Sequence, residues 1–154
     1  MQELAISERE LLACCASPAW AAEVTSGGPY PDVDALLPAA DAALDALDWS
    51  EIEKALAAHP RIGDRAAAPG REAEWSCQEQ SAAAGGDRAE LALANAEYER
   101  VFGRVFLVNA TGRSSAEILA NLRSRLGNDD EIERAVVREE LRGIVRLRLR
   151  KALS

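Results

Sequence analysis

The chain has 154 residues, of which 48% are hydrophobic and 29% are charged, and its formal net charge is −8 at pH 7. This composition excludes wholesale disorder and predicts a single globular domain spanning residues 1–154. The acidic balance argues against nucleic acid as a partner, and no apolar run approaches the length of a membrane span. The first residues lack the basic and apolar regions of a secretory signal, so we predict a cytoplasmic protein.

The cysteine and histidine content argues against a disulfide framework and against a zinc site. Cys14, Cys15 and Cys77 are an odd number, and two of them are adjacent. This pattern is typical of reduced thiols rather than of a disulfide framework. With one histidine in the chain, no standard zinc site can be written, and we predict no metal.

Helix start signals recur along the chain. A small polar residue repeatedly stands three positions before a glutamate, which is the capping-box pattern. Ser17 also precedes Pro18, and proline is tolerated in the first turn of a helix. The capping-box pairs are Ser7 with Glu10, Ser50 with Glu53, Asp87 with Glu90, Ser114 with Glu117, and Asn128 with Glu131.

Apolar residues follow these signals at helical intervals. Only residues 105–108, VFLV, are typical of a strand, and no second strand is indicated to pair with them. We therefore predict an all-α, single-domain bundle of about seven or eight helices. The apolar stripes are Val33, Leu36, Leu37, Ala40 and Leu44; Leu91, Ala94, Tyr98, Val101 and Phe102; and Ile118, Leu119, Leu122 and Leu126, with Gly127 ending the last of these helices.

The single histidine, His59, stands directly before Pro60. It follows Ile52 and Leu56 at helical spacing, so it shares the buried face of the helix that Ser50 is predicted to open. Proline disfavours helical geometry at the preceding residue, which ends the helix at His59. The helix dipole there favours a protonated ring, which suits proton transfer. The alternative is a core histidine that donates to a backbone carbonyl.

A second polar group lies in residues 76–80, SCQEQ. If this stretch is helical, Ser76, Glu79 and Gln80 share one face and present a hydroxyl, a carboxylate and an amide together. The alternative is an ordinary solvated face.

The last predicted helix places Arg148 on its apolar stripe. The stripe runs through Val137, Leu141, Ile144 and Val145, and Arg148 follows Ile144 by one helical turn. A buried guanidinium needs an acceptor, which is either a structural carboxylate or an anionic ligand, unless its stem packs and its head reaches water. Three further arginines on another face are predicted to be solvated, with Glu139 able to pair with the first of them: Arg142, Arg146 and Arg150.

Four motifs, taken in order, resemble those of one family. They are HPRIG at 59–63, SCQEQ at 76–80 (the family's S-x-x-E-Q), YERVFGRVFLV at 98–108, and IVRLRL at 144–149. The chain resembles the 2-oxo-4-hydroxy-4-carboxy-5-ureidoimidazoline (OHCU) decarboxylase family, which produces (S)-allantoin at the end of urate oxidation. The resemblance spans nearly the whole chain and implies an all-helical homodimer.

The resemblance also implies roles for individual residues. It makes His59 and Glu79 the catalytic pair, and it makes a further set the substrate contacts. One departure affects the expected pocket wall, because the family often has a Gly-Phe-Pro-Phe-type sequence where this chain reads Gly103, Arg104, Val105 and Phe106. The implied substrate contacts are Pro60, Ser76, Gln80, Arg148 and the backbone of Arg104, Val105, Phe106, Leu107 and Val108.

The implied reaction accounts for the absence of any cofactor motif. The carboxylate leaves from a carbon next to an imine, so the substrate supplies its own electron sink and we predict no cofactor. The chain then has to supply an anion anchor, for which Arg148 is suited, and proton transfer by His59 and Glu79. Three alternatives remain: a non-enzymatic interaction module whose basic ridge contacts an acidic partner, an enzyme for another ureido or imidazolone acid, and a metal hydrolase using His59 with Asp64 or Glu79.

Overall fold

The computed structural model describes residues 6–57 and 88–153, and all regular secondary structure within these ranges is helical. The predicted all-α class is confirmed. None of the described helices is both long and apolar enough to cross a membrane. The seven described helices are α1 (Glu8–Cys14), α2 (Pro18–Ser26), α3 (Val33–Asp45), α4 (Trp49–Ala57), α5 (Arg88–Phe102), α6 (Ser115–Arg125) and α7 (Asp130–Leu153).

Three of the predicted helix starts are confirmed by their caps. The hydroxyl of Ser7 accepts from the Glu10 amide at 3.1 Å, and that of Ser17 accepts from the Trp20 amide at 3.2 Å. Ser114 forms a complete capping box with Glu117, because each side chain accepts from the backbone N–H of the other residue. The Ser114 amide lowers the pKa of Glu117 by hydrogen bonding to its ionised form. The predicted Asp87 cap lies outside the described residues.

Two predicted caps are wrong by one or two positions. Helix α4 begins at Trp49, and the carboxylate of Asp48, not the Ser50 hydroxyl, accepts from the Glu51 amide at 3.0 Å. Helix α7 begins at Asp130, and Asp129, not Asn128, accepts from the Ile132 amide at 2.8 Å. In both places a carboxylate lies one or two positions before or after the predicted residue, and it supplies the stronger acceptor at the positive end of the helix dipole.

The described residues form two compact units, and the first contains residues 6–57 and 142–153. Within it the Trp20 indole N–H donates to the Ala40 carbonyl at 3.0 Å, which joins α2 to α3. Cys14 and Cys15 are fully buried, and neither forms a disulfide. The predicted α3 stripe is buried from Leu36 to Leu44, with Val33 at its half-buried end.

The second unit contains the described residues 88–141. Its core combines the predicted α5 and α6 stripes with residues from the connecting segment. The prediction that Val101 belongs to the buried stripe is wrong, because Val101 is 48% exposed. Phe102, the next residue of the predicted stripe, does pack against the core. The buried core residues are Leu91, Tyr98, Phe106, Val108, Ala110, Ile118, Leu119 and Leu122.

Candidate active site

Residues 103–113 connect α5 to α6 and contain the predicted substrate-contacting backbone. Gly103 ends α5 with φ at +72°, a left-handed conformation that favours glycine. Phe106, Leu107 and Val108 are buried, with exposed fractions of 2%, 4% and 4%. Residues 105–108, whose sequence is typical of a strand, form none in the structure, in agreement with the all-α prediction: the segment is irregular, and its hydrogen bonds go to side chains rather than to a neighbouring strand.

Three charged side chains fix this segment in place, and we call residues 104–109 the anchored segment. Buried backbone groups outside a helix or sheet need such partners, because an unpaired one costs about as much as a lost hydrogen bond. Two of the three contacts come directly from α7, and the third comes from an α6 arginine. The contacts are Arg104 Nη1 to Asp130 at 2.9 Å, Arg125 Nη1 to the Leu107 carbonyl at 2.7 Å, and the Asn109 N–H to Glu140 at 3.1 Å.

Arg104, which was expected to affect the pocket wall, forms an ion pair with Asp130. Its guanidinium lies 5.2 Å from the centroid of the Phe102 ring and donates to Asp130. The hydrogen bond from Arg104 lowers the pKa of Asp130, which keeps this carboxylate ionised as an acceptor. The departure from the family's Gly-Phe-Pro-Phe pattern thus ties the beginning of the anchored segment to the first turn of α7.

A buried polar cluster of Arg125, Glu133 and Tyr98 lies behind the anchored segment. Arg125 is 3% exposed, and Glu133 and Tyr98 are 0% exposed. The guanidinium donates through Nε to Glu133 Oε2 at 2.9 Å and through Nη2 to the same oxygen at 2.5 Å. The Tyr98 hydroxyl donates to Glu133 Oε2 at 2.5 Å. The Asn128 amide also donates to Glu133, and Arg125 also donates to the Leu107 carbonyl and to Asn121. Because the pair is desolvated, its charges depend for stabilisation on each other and on these hydrogen bonds.

Tyr98 remains protonated in this environment. Burial raises the pKa of its hydroxyl well above the ordinary value of 10.0, and the hydrogen bond to ionised Glu133 raises it further. The hydroxyl is thus a permanent donor to the carboxylate. The ring contributes separately, with centroids 4.6 Å from Phe102 and 5.2 Å from Phe106.

Arg148 lies in the first unit, where it is fully buried at 0% exposure. Its Nη1 donates to the Cys14 carbonyl at 3.4 Å, and its helical neighbours Val145 and Leu149 are also buried. The predicted position on the buried face of α7 is confirmed. Complete burial excludes the interpretation in which the stem packs and the head reaches water, because the whole guanidinium is removed from solvent.

Arg142 and Arg146, which were predicted to be solvated, are partly exposed, and both form ion pairs with carboxylates of α3. Arg146 binds Asp41 with both Nε and Nη2, at 3.0 and 2.8 Å, and Arg142 donates to Asp45. Both carboxylates belong to α3 and lie one helical turn apart, which matches the spacing of the two arginines on α7. Asp41 raises the pKa of Arg146 by accepting its hydrogen bonds. Arg150, by contrast, is exposed as predicted.

The remaining predicted site residues lie outside the described residues. They comprise the proposed catalytic pair and the three polar or cyclic residues beside them: His59, Glu79, Pro60, Ser76 and Gln80. The structure thus describes the anchored segment in one unit and Arg148 in the other.

Sequence reasoning missed Arg125 and Glu133, although the sequence carried a signal for both. Glu133 precedes Val137 by four residues on the stripe that contains Arg148, and Arg125 follows Leu122 by three residues on the buried face of α6. Arg125, Glu133 and Arg148 are all charged residues at helix positions that the apolar spacing assigns to the buried face. Only Arg148 also matched a known motif.

With a helical fold, a buried arginine and a buried loop segment in place, comparison with known proteins identifies the class. A model of the OHCU decarboxylase family matches residues 5–150. The chain belongs to this family. The 2-oxo-4-hydroxy-4-carboxy-5-ureidoimidazoline decarboxylase of Amia calva is 33% identical, and the match covers 89% of this chain and 81% of that protein.

Longer proteins match over part of their length. The uric acid degradation bifunctional protein TTL of Arabidopsis thaliana is 31% identical, with 97% of this chain covered. The chain spans about half of that protein, since the match covers 48% of its length.

Two solved structures share the fold. An OHCU decarboxylase crystallised in the presence of (S)-allantoin superposes with a TM-score of 0.82 and 27% identity, covering 96% of this chain and 99% of that chain. An (S)-allantoin synthase superposes with a TM-score of 0.70 and 20% identity, covering 95% of this chain and 49% of that chain. The second likeness supports the fold alone.

Proposed function

We propose that this chain is a cofactor-independent carboxy-lyase that converts OHCU to (S)-allantoin and CO2 in urate degradation. The observation that carries the proposal is the family match over residues 5–150. The relative from Amia calva, named for this decarboxylation, and the OHCU decarboxylase structure with a TM-score of 0.82 support it. The match of one family model along the chain also supports a single domain of residues 1–154.

The reaction requires two kinds of group from the protein. The bond between the ring carbon and the carboxylate breaks, CO2 leaves, and the bonding electron pair is accepted by the neighbouring imine. The imine nitrogen takes up a proton from solvent, the hydroxyl loses its proton to become a carbonyl, and the adjacent carbon gains a proton on one face. The protein must hold the anionic substrate and manage these protons, and the electron sink is in the substrate itself.

We assign proton transfer to His59 and Glu79. In this proposal His59, polarised by Glu79, takes the hydroxyl proton as CO2 departs. The imidazole is suited to the step because its ordinary pKa lies near neutrality. Pro60, Ser76 and Gln80 are proposed substrate contacts, with the hydroxyl and the amide suited to the ureido group and the ring amides.

We assign the anion to Arg148. The side chain is fully buried, and a guanidinium keeps its charge at every physiological pH. In a protein of net charge −8, such a residue supplies the local positive charge that a carboxylate substrate requires. Its planar fork can also donate two parallel hydrogen bonds to carbonyl or carboxylate oxygens.

The assay generates OHCU freshly from urate and follows the optical signal of (S)-allantoin. The wild-type protein should accelerate formation of the S enantiomer over spontaneous decay. His59→Ala should abolish most of this acceleration, and Glu79→Gln should reduce it. A wild-type protein that gives no acceleration would contradict the activity, whereas full activity in His59→Ala would contradict only the role given to the histidine.

The same assay addresses the alternatives. Faster turnover of another ureido or imidazolone acid would reassign the substrate while leaving the enzyme class in place. The interaction-module hypothesis is weakened, because Arg142 and Arg146 of its proposed basic ridge already bind α3 carboxylates within the chain. The homodimer, implied by the family, and the cytoplasmic location, inferred from the sequence, remain proposals, and sedimentation at working concentration tests the first.

A further inference from the structure

One arginine contacts two consecutive residues of the anchored segment. Arg125 Nη1 donates to the Leu107 carbonyl at 2.7 Å, and the Arg125 guanidinium carbon lies 4.6 Å from the centroid of the Phe106 ring. The other side of the guanidinium is committed to Glu133 through Nε and Nη2. A planar group held along one edge has a fixed direction for its remaining donor.

We propose that Arg125 and Glu133 are positioning residues for the decarboxylation: the α7 carboxylate orients the α6 guanidinium, which fixes the backbone of Phe106–Val108 for the substrate. The inference rests on the proposed function, in which this backbone contacts OHCU. It concerns residues that do not themselves belong to the proposed set of substrate contacts.

The geometry around Val108 supports the proposal. The peptide unit before Val108 is held through the Leu107 carbonyl, and the peptide unit after it is held through the Asn109 N–H, which donates to Glu140 at 3.1 Å. Because peptide units are planar, fixing both neighbours determines the two backbone dihedrals of Val108. In a trans peptide the N–H points opposite to the carbonyl, so the Val108 N–H is directed away from Arg125.

The cluster also has the rigidity that positioning requires. Glu133 and Glu140 are two helical turns apart on α7, so the carboxylate that orients Arg125 and the carboxylate that accepts from the Asn109 N–H belong to one regular element. Tyr98 adds a third donor to Glu133, and it stays protonated because burial and the adjacent carboxylate raise the pKa of its hydroxyl. Site groups supported in this way keep their orientation during turnover.

A purely structural role for the buried pair makes a different prediction from a positioning role. Loss of stability reduces the fraction of folded enzyme, and hence the apparent kcat, but KM is a property of the folded molecules. A displaced binding segment changes KM even when all molecules are folded. KM, measured well below the melting temperature, therefore separates the two roles.

The test compares Arg125→Lys with Arg123→Lys in the OHCU assay. Lysine keeps the charge beside Glu133 but lacks the fork that reaches the carboxylate and the Leu107 carbonyl together. KM should rise by about tenfold in Arg125→Lys, with a smaller change in kcat. Arg123 lies on the same helix two residues earlier, is 59% exposed in its side chain, and serves as the matched control with unchanged KM.

The outcomes are distinct. A folded Arg125→Lys with wild-type KM would overturn the positioning role while leaving the proposed function intact, and a wild-type protein without turnover would remove both. If Arg125→Lys does not fold, Tyr98→Phe tests the same contacts, because it removes the hydroxyl from Glu133 and retains the ring packing against Phe102 and Phe106. Its KM should rise by about threefold, and an unchanged KM would overturn the inference.

Discussion

Replacing Glu133 with glutamine should cost far more stability than the same replacement at Glu97. Both carboxylates bind an arginine at 2.5 Å within the same unit, Glu133 to Arg125 and Glu97 to Arg100. The side chains of the first pair are 4% and 0% exposed, whereas those of the second are 70% and 46% exposed. Distance and charge are therefore matched, and burial is the variable.

Burial sets the expected magnitude. Removing one partner of a buried ion pair leaves the other charge without compensation, which costs about 3–5 kcal/mol in unfolding free energy. Glu133→Gln leaves Arg125 in that state, so its melting temperature should fall by about 6–20 °C for a domain of this size. Glu97→Gln removes a solvated, screened contact and should leave the stability nearly unchanged.

Urea denaturation followed by far-UV circular dichroism measures both effects. The two variants should unfold with the m-value of the wild type, so that differences in midpoint report stability. Equal midpoints for Glu133→Gln and Glu97→Gln would refute the argument from burial. A double variant, Arg125→Met with Glu133→Leu, should recover part of the loss, because apolar residues replace both charges at once.

Three further predictions follow. The folded state keeps the Tyr98 proton above its ordinary pKa of 10.0 while the unfolded chain releases it. The stability advantage of the wild type over Tyr98→Phe is thus fully present below that pH and should shrink by about 1.4 kcal/mol per pH unit above it, and a constant gap in urea denaturation would contradict this. Gly103→Ala and Gly112→Ala should each lower the unfolding free energy by about 1–2 kcal/mol, because both glycines have left-handed φ angles, +72° and +77°. Only Gly103→Ala should also raise KM for OHCU. Equal KM values for the two variants would show that the backbone conformation at the end of α5 does not affect substrate binding. Arg148→Lys should lower kcat/KM by about tenfold or more, with exposed Arg150→Lys as an unchanged control, and equal activities would remove Arg148 from the site.

The helices could be predicted because their signals are local. Capping residues and apolar stripes act within one or two turns, so the starts of α1, α2 and α6 and the buried face of α3 follow from neighbouring residues alone. The errors at Ser50 and Asn128 arose where two possible acceptors lie within two positions of each other. The capping-box spacing favoured Ser50 and Asn128, while the helix dipole favoured the nearby carboxylates of Asp48 and Asp129.

The anchored segment shows why a local pattern can mislead. Four consecutive apolar residues at 105–108 are typical of a buried strand, but burial is all that the pattern specifies. The hydrogen bonds that decide between a strand and an irregular segment come from Arg125 and Glu140, which are 18 and 31 positions away in the chain from the residues they bind. Such partners are set by tertiary packing, which no window of neighbouring residues contains.

The arginines of α7 show how far helical periodicity alone can predict the candidate site. Arg146, Arg148 and Arg150 alternate along five residues, and charge alone does not distinguish them. Helical spacing does, because it places Arg148 on the stripe of Ile144 and Val145 and the others off it. The structure gives the three side chains separate environments: a bidentate ion pair with Asp41, complete burial, and solvent. Since an ionic contact gains strength as water is excluded, only the buried guanidinium combines a permanent charge with the low dielectric in which a small anion is held firmly.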